Sequence, residues 1–405
     1  MIRFHARSHP GIVRPHNEDA MLADGAHGVF VVADGVGGRA AGEIASALTI
    51  ETMEEAAPAL AQVVARYGET PEWEGRNEVL EQLEKVCQEA TRRVFDQADR
   101  LGRKGMTTTL VLLVVGGGTA FLAHVGDSRA YLIREGLIQQ LTEDHSMVNE
   151  LVRSGQMSLE EAKRSQYRNV ITRAIGLYPT VQADVMAIDI LPGDRIVLCS
   201  DGLSDPVAPS EIESMARQDD VETATDRLLD AALEAGAPDN VTVAVIEPDA
   251  TPQAEAARAR AQVMENLFLF RGLPFHARLR VARICEARTI QPGEVLAQEG
   301  QAGDAMFIMA QGKVVVSHRG LDIATFKAGE HFGEVSLLDG GARSATVTSK
   351  EAGSVIVIRR DALAEFTRKD PDLGGQVYMR LATTLAARLR QANERMTDTM
   401  PTITM

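Results

Sequence analysis

Three apolar, β-branched runs in the first 250 residues each carry an aspartate at one end. The three acids are Asp34 in Val29–Gly38, Asp201 in Ile196–Gly202, and Asp239 before Val241–Ile246. Short apolar runs of this kind are typical of buried strands. Each carboxylate is therefore predicted at the end of a strand, and the three can meet only if these strands pack side by side. This requirement constrains the fold more than any other feature of the chain.

Carboxylates that meet in one place repel one another unless a cation neutralises them. Gly35 follows Asp34 directly, and Gly37 and Gly38 come soon after, so no bulky side chain blocks the approach to this carboxylate. A hard divalent cation could then contact both Asp34 and the Gly35 carbonyl. The pattern predicts a metal site built from oxygen ligands.

Composition limits the class of protein. The length of 405 residues predicts two or three domains, and an apolar content of 45% is ample for conventional cores. The formal net charge of -15 argues against nucleic acid or an anionic membrane as a partner, because such binding needs clustered Lys and Arg. Cys87, Cys199 and Cys285 are far apart, so no disulfide framework is expected. No apolar run approaches the roughly 20 residues of a membrane span and no signal peptide is recognised, so we expect a cytoplasmic protein.

Apolar periodicity predicts the elements of the first 248 residues. Apolar residues repeat at three- and four-residue spacing in two long predicted helices, Gly42–Tyr67 and Glu78–Arg100. Further helices are predicted at Met147–Ser154, Ser158–Arg164, Pro209–Arg217 and Val221–Ala235, and adjacent strands at Thr107–Val115, Thr119–Val125 and Ala130–Arg134. We expect sheets that are covered by helices.

The composition changes after residue 248. Thr251–Gln262 is rich in Ala and lacks an apolar stripe, which indicates a linker, and glycines then punctuate short alternating strands between Phe270 and Ile358. This spacing predicts a small all-β barrel or roll. Asp361–Met396 is predicted to be helical, and its apolar stripe either packs on its own domain or forms the seam of a homodimer. The predicted domains are 1–248 and 265–396, with a linker at 249–264 and a tail at 397–405.

A guanidinium and two carboxylates precede the first of these strands, in the segment from Arg14 to Asp19, which reads Arg-Pro-His-Asn-Glu-Asp. Arginine presents a planar fork that matches two phosphate oxygens. Two divalent cations about 3.5 to 4 Å apart can activate a bridging water for attack on a phosphoryl group. A single Asp-Gly is most often only a turn, as predicted at Asp24-Gly25 and Asp339-Gly340. Three acids at strand ends, together with the Arg14–Asp19 segment, instead indicate phosphate ester hydrolysis.

Over about residues 5–248 these features resemble the metal-dependent Ser/Thr protein phosphatases of type 2C. The motifs in family order are Arg14-x-x-Asn17-Glu18-Asp19, Val32-Ala-Asp34-Gly35-Val-Gly37-Gly38, Gly105-Met106-Thr-Thr108-Thr109, Val125-Gly126-Asp127-Ser128-Arg129, Leu141-Thr142-x-Asp144-His145, Ser200-Asp201-Gly202-Leu-x-Asp205 and Asp239-Asn240-Val-Thr242. The resemblance implies an α+β fold, namely an α-β-β-α sandwich of two antiparallel sheets with metals in a cleft at one end.

The resemblance also implies three sets of functional residues. The ligands of a Mn²⁺ or Mg²⁺ pair would be Asp34, the Gly35 carbonyl, Asp201 and Asp239. The catalytic residues would be Arg14, which clamps the substrate phosphate, and Glu18 and Asp19, which act mainly through metal-bound waters. The ligands of a third, weaker metal would be Asp127 and Asp205 together with Asp201.

Two positions depart from the family pattern. Val36 stands where many eukaryotic members have a histidine proposed to protonate the leaving alkoxide, so either a metal-bound water is the acid or the alkoxide departs with little help. Thr107 replaces the second glycine of Gly-x-Gly-Thr-Thr, which we expect to alter a local turn rather than catalysis. His16 and His145 are alternative acids by position, although a hydrogen-bonded structural role is the expected one. Residues Met147–Asn169 correspond to a flap beside the cleft.

A second set of residues with suitable chemistry lies between Phe332 and Val347. A helical turn after Gly333 would direct backbone N–H groups at an anion, Arg343 could neutralise that anion, and Glu334 could accept a hydrogen bond from a sugar hydroxyl. The same spacing also suits a surface turn with an ion pair.

Together with upstream glycine turns, this stretch resembles the cyclic-nucleotide-binding β-roll of catabolite-activator and protein-kinase-A regulatory proteins, over about residues 265–395. The implied nucleotide cassette consists of Gly333, Glu334, Val335, Ser336, Arg343, Ser344 and Ala345. In such a cassette Gly333 and Arg343 hold the cyclic phosphate, and Glu334 binds the ribose 2′-hydroxyl. Cyclic AMP is the expected ligand. Cyclic GMP stays open, because the Thr-Ser pair that reads adenine in the catabolite-activator branch corresponds here to Ala392-Asn393. No helix-turn-helix is expected after residue 396, unlike the transcription factors of that family.

The sequence therefore predicts a phosphoprotein phosphatase that uses two metal ions against phosphoserine and phosphothreonine and is regulated by a cyclic nucleotide. Its expected partners are phosphorylated proteins and a cognate Ser/Thr kinase. Two alternatives stay open: the roll serves only for dimerisation or targeting, or the chain is a catalytically silent protein that binds phosphopeptides. No covalent cysteine intermediate is expected, since Cys199 lies within an apolar strand and lacks a phosphate-cradling loop.

Overall fold

The computed structural model describes residues 2–37, 41–69, 73–218, 220–249 and 267–398. The chain forms two compact units, residues 1–258 and 259–405. Gly38 of the first Asp-Gly motif, nearly all of the predicted linker at 249–264, and the predicted tail beyond residue 398 lie outside the described residues.

The N-terminal unit contains two antiparallel sheets. Its strands are β1 (Arg3–His9), β2 (Asp19–Asp24), β3 (Val29–Val36), β4 (Thr107–Thr108), β5 (Leu110–Gly116), β6 (Thr119–Val125), β7 (Arg129–Arg134), β8 (Leu137–Gln140), β9 (Asp184–Asp189), β10 (Arg195–Cys199) and β11 (Val241–Glu247). Five strands form one sheet in the order β1-β11-β10-β7-β8, and six form the other, in the order β2-β3-β5-β6-β9 with β4 paired to β3.

The helices of this unit are α1 (Ala41–Glu69), α2 (Trp73–Leu101), α3 (Met147–Arg153), α4 (Leu159–Arg164), α5 (Asp201–Ser204), α6 (Pro209–Gln218) and α7 (Val221–Glu234). Helices α1 and α2 cover the outer face of one sheet, and α6 and α7 cover that of the other. Buried side chains of α1 and α2 share one core with β3, β5 and β6, and those of α6 and α7 share another with β10 and β11. Between the sheets, the rings of Phe4 and Phe30 meet edge to face at 5.1 Å. The predicted α-β-β-α sandwich is confirmed.

The observed bounds differ from the predicted ones where hydrogen bonding redefines a strand. The predicted strand Thr107–Val115 is two strands separated at Thr109, because β4 pairs only with the end of β3. The same pairing carries β3 past Asp34 to Val36. Asp34 therefore lies within its strand rather than beyond the end, directly opposite Asp19 of β2.

The C-terminal unit is a roll of two four-stranded antiparallel sheets flanked by helices. After a 3-10 turn at Phe268–Phe270 its elements are α8 (Phe275–Ala282), β12 (Glu286–Ile290), β13 (Val295–Ala297), β14 (Ala305–Gln311), β15 (Lys313–His318), β16 (Leu321–Lys327), β17 (His331–Phe332), α9 (Glu334–Asp339), β18 (Thr346–Ser349), β19 (Gly353–Arg359), α10 (Arg360–Lys369) and α11 (Pro371–Asp398). The sheet orders are β12-β19-β14-β17 and β13-β18-β15-β16.

Two predictions for this unit need correction. The strand-rich region does not begin at Phe270, because α8 comes first and buries Val281 in the core beneath the roll. The predicted helix Asp361–Met396 is two helices that break at Asp370, since Pro371 cannot continue a helix and restricts the residue before it. On α11 the apolar stripe is buried at Leu381 but 63% exposed at Leu389.

The three cysteines are free and buried. Among the described residues, no helix combines the length and the apolar composition that crossing a bilayer requires.

Candidate functional site

One open cleft of the N-terminal unit, with a volume of about 410 Å³, gathers most of the predicted site. The predicted site residues that line it are Arg14, Glu18, Asp34, Gly35, Asp127, Asp201 and Asp239. Asp19 and Asp205 do not line the cleft: Asp19 is buried in β2 opposite Asp34, and Asp205 ends the single turn of α5 that Asp201 begins. The three acid-bearing strands do not all lie side by side as expected, because β3 belongs to one sheet and β10 and β11 to the other. The packing of the two sheets therefore brings together residues that are more than 200 positions apart.

Backbone packing around Gly35 explains why a glycine occupies this position. A Cβ at Gly35 would collide with the carbonyl groups of Gly42 and Glu18. The Gly35 N–H donates to the Glu18 carbonyl at 3.2 Å, which ties β3 to the segment that carries Arg14. The close approach therefore fixes the Arg14–Asp19 segment beside Asp34.

Hydroxyl groups hold the backbone of Asp34. Its N–H donates to Thr109 Oγ1 at 2.9 Å, and its carbonyl accepts from Thr108 Oγ1 at 2.8 Å. Thr109 Oγ1 also lies 2.6 Å from Ser128 Oγ, beside the turn that carries Asp127. The threonines of the Gly-Met-Thr-Thr-Thr motif therefore position Asp34 rather than contact a substrate.

Asp19 is held from beneath by two hydroxyls of the other sheet. Its Oδ2 accepts from Ser200 Oγ at 2.8 Å and from Thr242 Oγ1 at 2.7 Å. Its Oδ1 is buried and has no hydrogen-bond partner among the described residues, and the same holds for Asp201 Oδ1. Buried carboxylate oxygens without a donor are costly, so these two indicate a missing positive ligand.

The crowding of these acids disfavours their ionised forms. Burial raises the pKa of Asp34 well above its usual value, and the charges of Asp19 and Asp201 raise it further. Burial followed by repulsion from Asp127 raises the pKa of Asp201 in the same way. Burial and then Asp144 raise the pKa of Asp127. A cation would remove this repulsion, so cation binding and proton release are linked here.

A guanidinium partly offsets the acidity. Arg14 Nη2 lies 2.8 Å from Asp239 Oδ2, while Asp239 Oδ1 accepts from the Asn240 N–H at 2.9 Å. Among the described residues, no three Asp, Glu, His or Cys side chains converge closely enough to enclose one ion. The donor set nevertheless fits divalent cations, because its members are hard oxygens and two of them, Asp19 Oδ1 and Asp201 Oδ1, are buried without any donor among the described residues.

Asn240 is a functional residue to which sequence reasoning assigned no role. Its Oδ1 accepts from the Glu18 N–H at 2.8 Å, and its Nδ2 donates to the carbonyls of Pro10 and His16. This one carboxamide therefore braces the loop that carries Arg14 and Glu18. The available signal was its place beside Asp239 in a matched motif.

The two candidate histidines lie in different environments. His145 is buried, accepts from the Gly126 N–H at 3.1 Å and lies 3.5 Å from Asp184, which is the expected structural role. His16 is exposed and lines the cleft. Val36 also lines the cleft and is 42% exposed, and Thr107 pairs with it as an ordinary strand residue.

The predicted flap contributes Asn169 to the cleft wall. It is built from α3 and α4, and α4 begins with a capping box between Ser158 and Glu161. Ile171, two residues beyond Asn169, also lines the cleft and pairs with Ser146 through an isolated bridge. The flap therefore borders the space where a substrate would enter.

In the C-terminal unit the cassette residues gather around Gly333. Gly333 has a φ of 85°, and a Cβ there would collide with Arg343 and the Ala305 carbonyl, so only glycine fits. Arg343 is buried, its Nη1 donates to the Gly333 carbonyl at 3.3 Å, and its guanidinium lies over the Phe307 ring. Burial lowers the pKa of Arg343, so an anion would stabilise its charge.

Glu334 has a partner that sequence reasoning missed. Its Oε1 lies 2.5 Å from Arg388 Nη1 of α11, while Arg388 Nη2 donates to the His331 carbonyl at 2.7 Å. Glu334 Oε2 is buried without a partner among the described residues. The signal for Arg388 was its position seven residues after the buried Leu381, which places both on one helix face.

The other cassette residues are more open. Val335 and Ser344 are exposed, Ala345 is half-buried and Ser336 is buried. The Ser344 carbonyl lies 3.0 Å from His318 Nδ1. The side chain of the predicted base-reading residue Ala392 lies outside the described part of the chain.

Comparison with known proteins matches both units to families. Residues 13–269 match the model of protein phosphatase 2C, and residues 287–370 match that of the cyclic nucleotide-binding domain. The chain is 32% identical to the serine/threonine phosphatase stp of Listeria monocytogenes over 256 residues, which are 62% of this chain and 98% of that protein.

Two further similarities concern PstP. The chain is 36% identical to the serine/threonine protein phosphatase PstP of Mycobacterium tuberculosis over 248 residues, which are 61% of this chain but only 45% of that protein's length. A crystal structure described as the catalytic domain of PstP in complex with two manganese ions is 34% identical, with a TM-score of 0.53, and the match covers 61% of this chain and 97% of that one.

Proposed function

The chain belongs to the protein phosphatase 2C family, and from this premise we propose that it hydrolyses phosphoserine and phosphothreonine in proteins with the help of two Mn²⁺ or Mg²⁺ ions. The observation that carries the proposal is the convergence of Arg14, Glu18, Asp34, Asp201 and Asp239 in one cleft. The catalytic domain would be residues 1–248 and the nucleotide domain residues 265–396.

The residues of the cleft divide the work by chemistry. Asp34, Asp201, Asp239 and the Gly35 carbonyl would hold the two cations, and Asp127 and Asp205 with Asp201 a third. Such cations polarise phosphoryl oxygens and lower the pKa of bound water, so that a hydroxide nucleophile is available at neutral pH. The chain's own task is to keep these like charges together, which the sheets and the surrounding hydroxyls do.

Arg14 would act on the substrate, whereas Glu18 and the buried Asp19 would act mainly through metal-bound waters. Arg14 would bind two phosphate oxygens through its fork. Glu18 and Asp19 would accept hydrogen bonds from water, for which the buried Asp19 Oδ1 is an unused acceptor. Val36 cannot donate a proton, so His16 is the imidazole at the cleft that could assist the leaving alkoxide.

The experiment is hydrolysis of a phosphothreonine peptide by the full chain with Mn²⁺, with and without a chelator. Asp201→Asn should lower the rate at least about 100-fold, because a ligand of the cation site is lost. Asp226→Asn is the matched control, since Asp226 is also an aspartate of this unit but pairs with Arg7 outside the cleft. An unchanged rate in Asp201→Asn would remove Asp201 from the site.

For the C-terminal unit the proposed ligand is a cyclic nucleotide, with cyclic AMP ahead of cyclic GMP. The buried Arg343 guanidinium suits the cyclic phosphate, and the unpartnered Glu334 Oε2 suits a ribose hydroxyl. Arg388 joins α11 to Glu334, so a ligand that contacts Glu334 would change the environment of α11. Any effect of the nucleotide on the affinity for a phosphatase ligand must be matched by an equal effect of that ligand on nucleotide affinity.

The test measures hydrolysis with and without each nucleotide, beside calorimetric titration of both nucleotides. A rate that changes with one nucleotide supports regulation. Heat of binding without a rate change leaves a sensor that is not coupled to the cleft. No heat with either nucleotide favours a roll that serves in dimerisation or targeting, and no turnover with any metal favours a silent phosphopeptide-binding protein.

The proposed partners are phosphoproteins and a cognate Ser/Thr kinase. A homodimer through α11 is also proposed, because Met379 and Leu389 of this helix are exposed. Sedimentation tests this: the full chain should be a dimer and Leu389→Glu a monomer. A monomeric wild-type protein would contradict the proposed dimer.

A further inference from the structure

The starting observation is that Arg14 contacts a proposed cation ligand. Arg14 Nη2 lies 2.8 Å from Asp239 Oδ2, and the Asn240 N–H occupies Asp239 Oδ1. Both oxygens of Asp239 are thus engaged by donors of the chain itself. In contrast, neither Asp34 nor Asp201 forms an ion pair with an arginine among the described residues that line the cleft.

The Arg14–Asp239 ion pair is weak enough for a divalent cation to replace Arg14 as the partner of Asp239. The side chains of Arg14 and Asp239 are 54% and 37% exposed, and pairs this open are weak. A divalent cation at Asp239 would neutralise the carboxylate and repel the guanidinium. Arg14 would then lose its internal partner at the moment when the site becomes ready for a phosphate.

Asp239 is also the natural place for such an exchange. Asp201 Oδ1 is buried without a donor, whereas the Asp239 side chain is 37% exposed and both of its oxygens already have donors. Burial raises the pKa of Glu18, and the charge of Arg14 opposes this rise. The guanidinium therefore serves as a counterion on the open side of the acidic cleft.

We propose that Arg14 is a cation-dependent switch, which pairs with Asp239 until a divalent cation takes this carboxylate and only then turns to the substrate phosphate. The inference rests on the proposed phosphatase function for the second half of the movement. It has two consequences: the cation binds before the phosphoester, and Arg14 weakens cation binding in the absence of substrate.

The first test is calorimetric titration of Mg²⁺ into the full chain without phosphate. Arg14→Ala should bind its tightest Mg²⁺ roughly two- to fivefold more tightly than the wild type, because the competing ion pair is gone. Arg7→Ala is the matched control: the Arg7–Asp226 pair has the same 2.8 Å distance and Arg7 the same 54% exposure, but it lies outside the cleft. Equal affinities of Arg14→Ala and Arg7→Ala would overturn the proposal.

A second test follows the guanidinium directly. In protein labelled with ¹⁵N-arginine, the Arg14 Nε–H signal is assigned by its loss in Arg14→Ala. It should shift as Mg²⁺ is added without phosphate, and it should respond to inorganic phosphate only when Mg²⁺ is present. A signal that ignores Mg²⁺, or that responds to phosphate alone, contradicts the switch.

The outcomes separate this inference from the proposed function. Hydrolysis by the wild type combined with unaltered Mg²⁺ affinity in Arg14→Ala would leave the phosphatase and exclude the switch. Absence of hydrolysis together with tighter Mg²⁺ binding in Arg14→Ala would leave the cation competition at Asp239 and exclude the phosphatase.

Discussion

The cleft and the cassette both bury charged side chains, but they differ in which groups are left without partners. In the cleft, acids predominate, and neither Asp201 Oδ1 at the cleft nor Asp19 Oδ1 in the strand behind it has a donor among the described residues. In the cassette, Glu334 already has Arg388, and a single acceptor oxygen is left over. The first arrangement needs added positive charge, whereas the second is nearly balanced and suits a ligand with an anion and a hydroxyl.

The two regions also differ in how they hold their charged side chains before a ligand binds. The cleft keeps like charges together at a cost in stability, which a bound cation would remove. The cassette keeps opposite charges paired, so a ligand must compete with internal contacts. Removing a charge should therefore stabilise the cation-free cleft but destabilise the cassette.

The largest expected effect is in the cassette. Arg343→Glu should lower cyclic nucleotide affinity at least about 100-fold, because it replaces the buried cation with an anion beside Glu334. Calorimetric titration measures it, and Arg368→Glu on α10, 73% exposed, is the matched charge reversal. Retained affinity in Arg343→Glu would show that the phosphate binds elsewhere.

A pH prediction follows for the cassette. Burial and then Arg388 lower the pKa of His331 to about 4, so the unfolded chain binds an extra proton between about pH 6.5 and 4. The stability of the roll should therefore fall by about 2 to 3 kcal/mol as the pH drops through this window. Hydrogen exchange of β14 and β19 amides at pH 7 and 5 measures it within this unit.

The matched variant is His331→Phe, which keeps the stacking on Phe268 but cannot titrate. Its protection should depend less on pH than that of the wild type. Equal pH dependence in both proteins would assign the acid sensitivity to other groups.

The cleft should show the opposite sign. The raised pKa values of Asp34 and Asp201 mean that the folded state holds protons that the unfolded state releases above about pH 4. Without cations, this unit should lose stability as the pH rises, and Asp34→Asn should stabilise it by about 1 to 2 kcal/mol at pH 7 while abolishing cation binding. Melting in chelator, followed by the fluorescence of Trp73, the one tryptophan of the chain, measures this change.

Asp226→Asn provides the comparison, because this acid has an arginine partner and its neutralisation should not stabilise the protein. A destabilised Asp34→Asn would mean that the Asp34 carboxylate makes a net favourable contact in the cation-free protein, and the contrast between the two regions would fail.

The sequence predicted the cleft better than the cassette for a physical reason. Asp34, Asp201 and Asp239 follow from apolar runs. The pairing of β10 with β11 brings Asp201 and Asp239 together, whereas Asp34 reaches them because its sheet packs against theirs. The motif spacing then located Arg14 and Glu18. The cassette residues were also located by spacing, but the Glu334–Arg388 pair joins residues 54 positions apart, and only the packing of α11 on the roll decides it.

Local chemistry explains the smaller errors. The helix break at Asp370 was readable from Pro371, whereas the extension of β3 past Asp34 depends on pairing with β4, which no local pattern encodes. The hydroxyls of Ser200 and Thr242 lie inside matched motifs, yet their contact with Asp19 needs the two sheets to face each other.

The smallest expected effect concerns the balance within the cassette. Glu334→Gln and Arg388→Ala should each destabilise the roll, and the double variant should lose less than their sum, with a coupling of about 1 kcal/mol. The reason is that Glu334 is buried and keeps an unpaired charge when Arg388 is removed, whereas the amide does not. Urea unfolding of the four proteins, with Arg380→Ala on the same helix as the control, measures the coupling. Strict additivity would mean that the ion pair contributes nothing, and the cassette would then resemble the cleft in holding a charge without an effective partner.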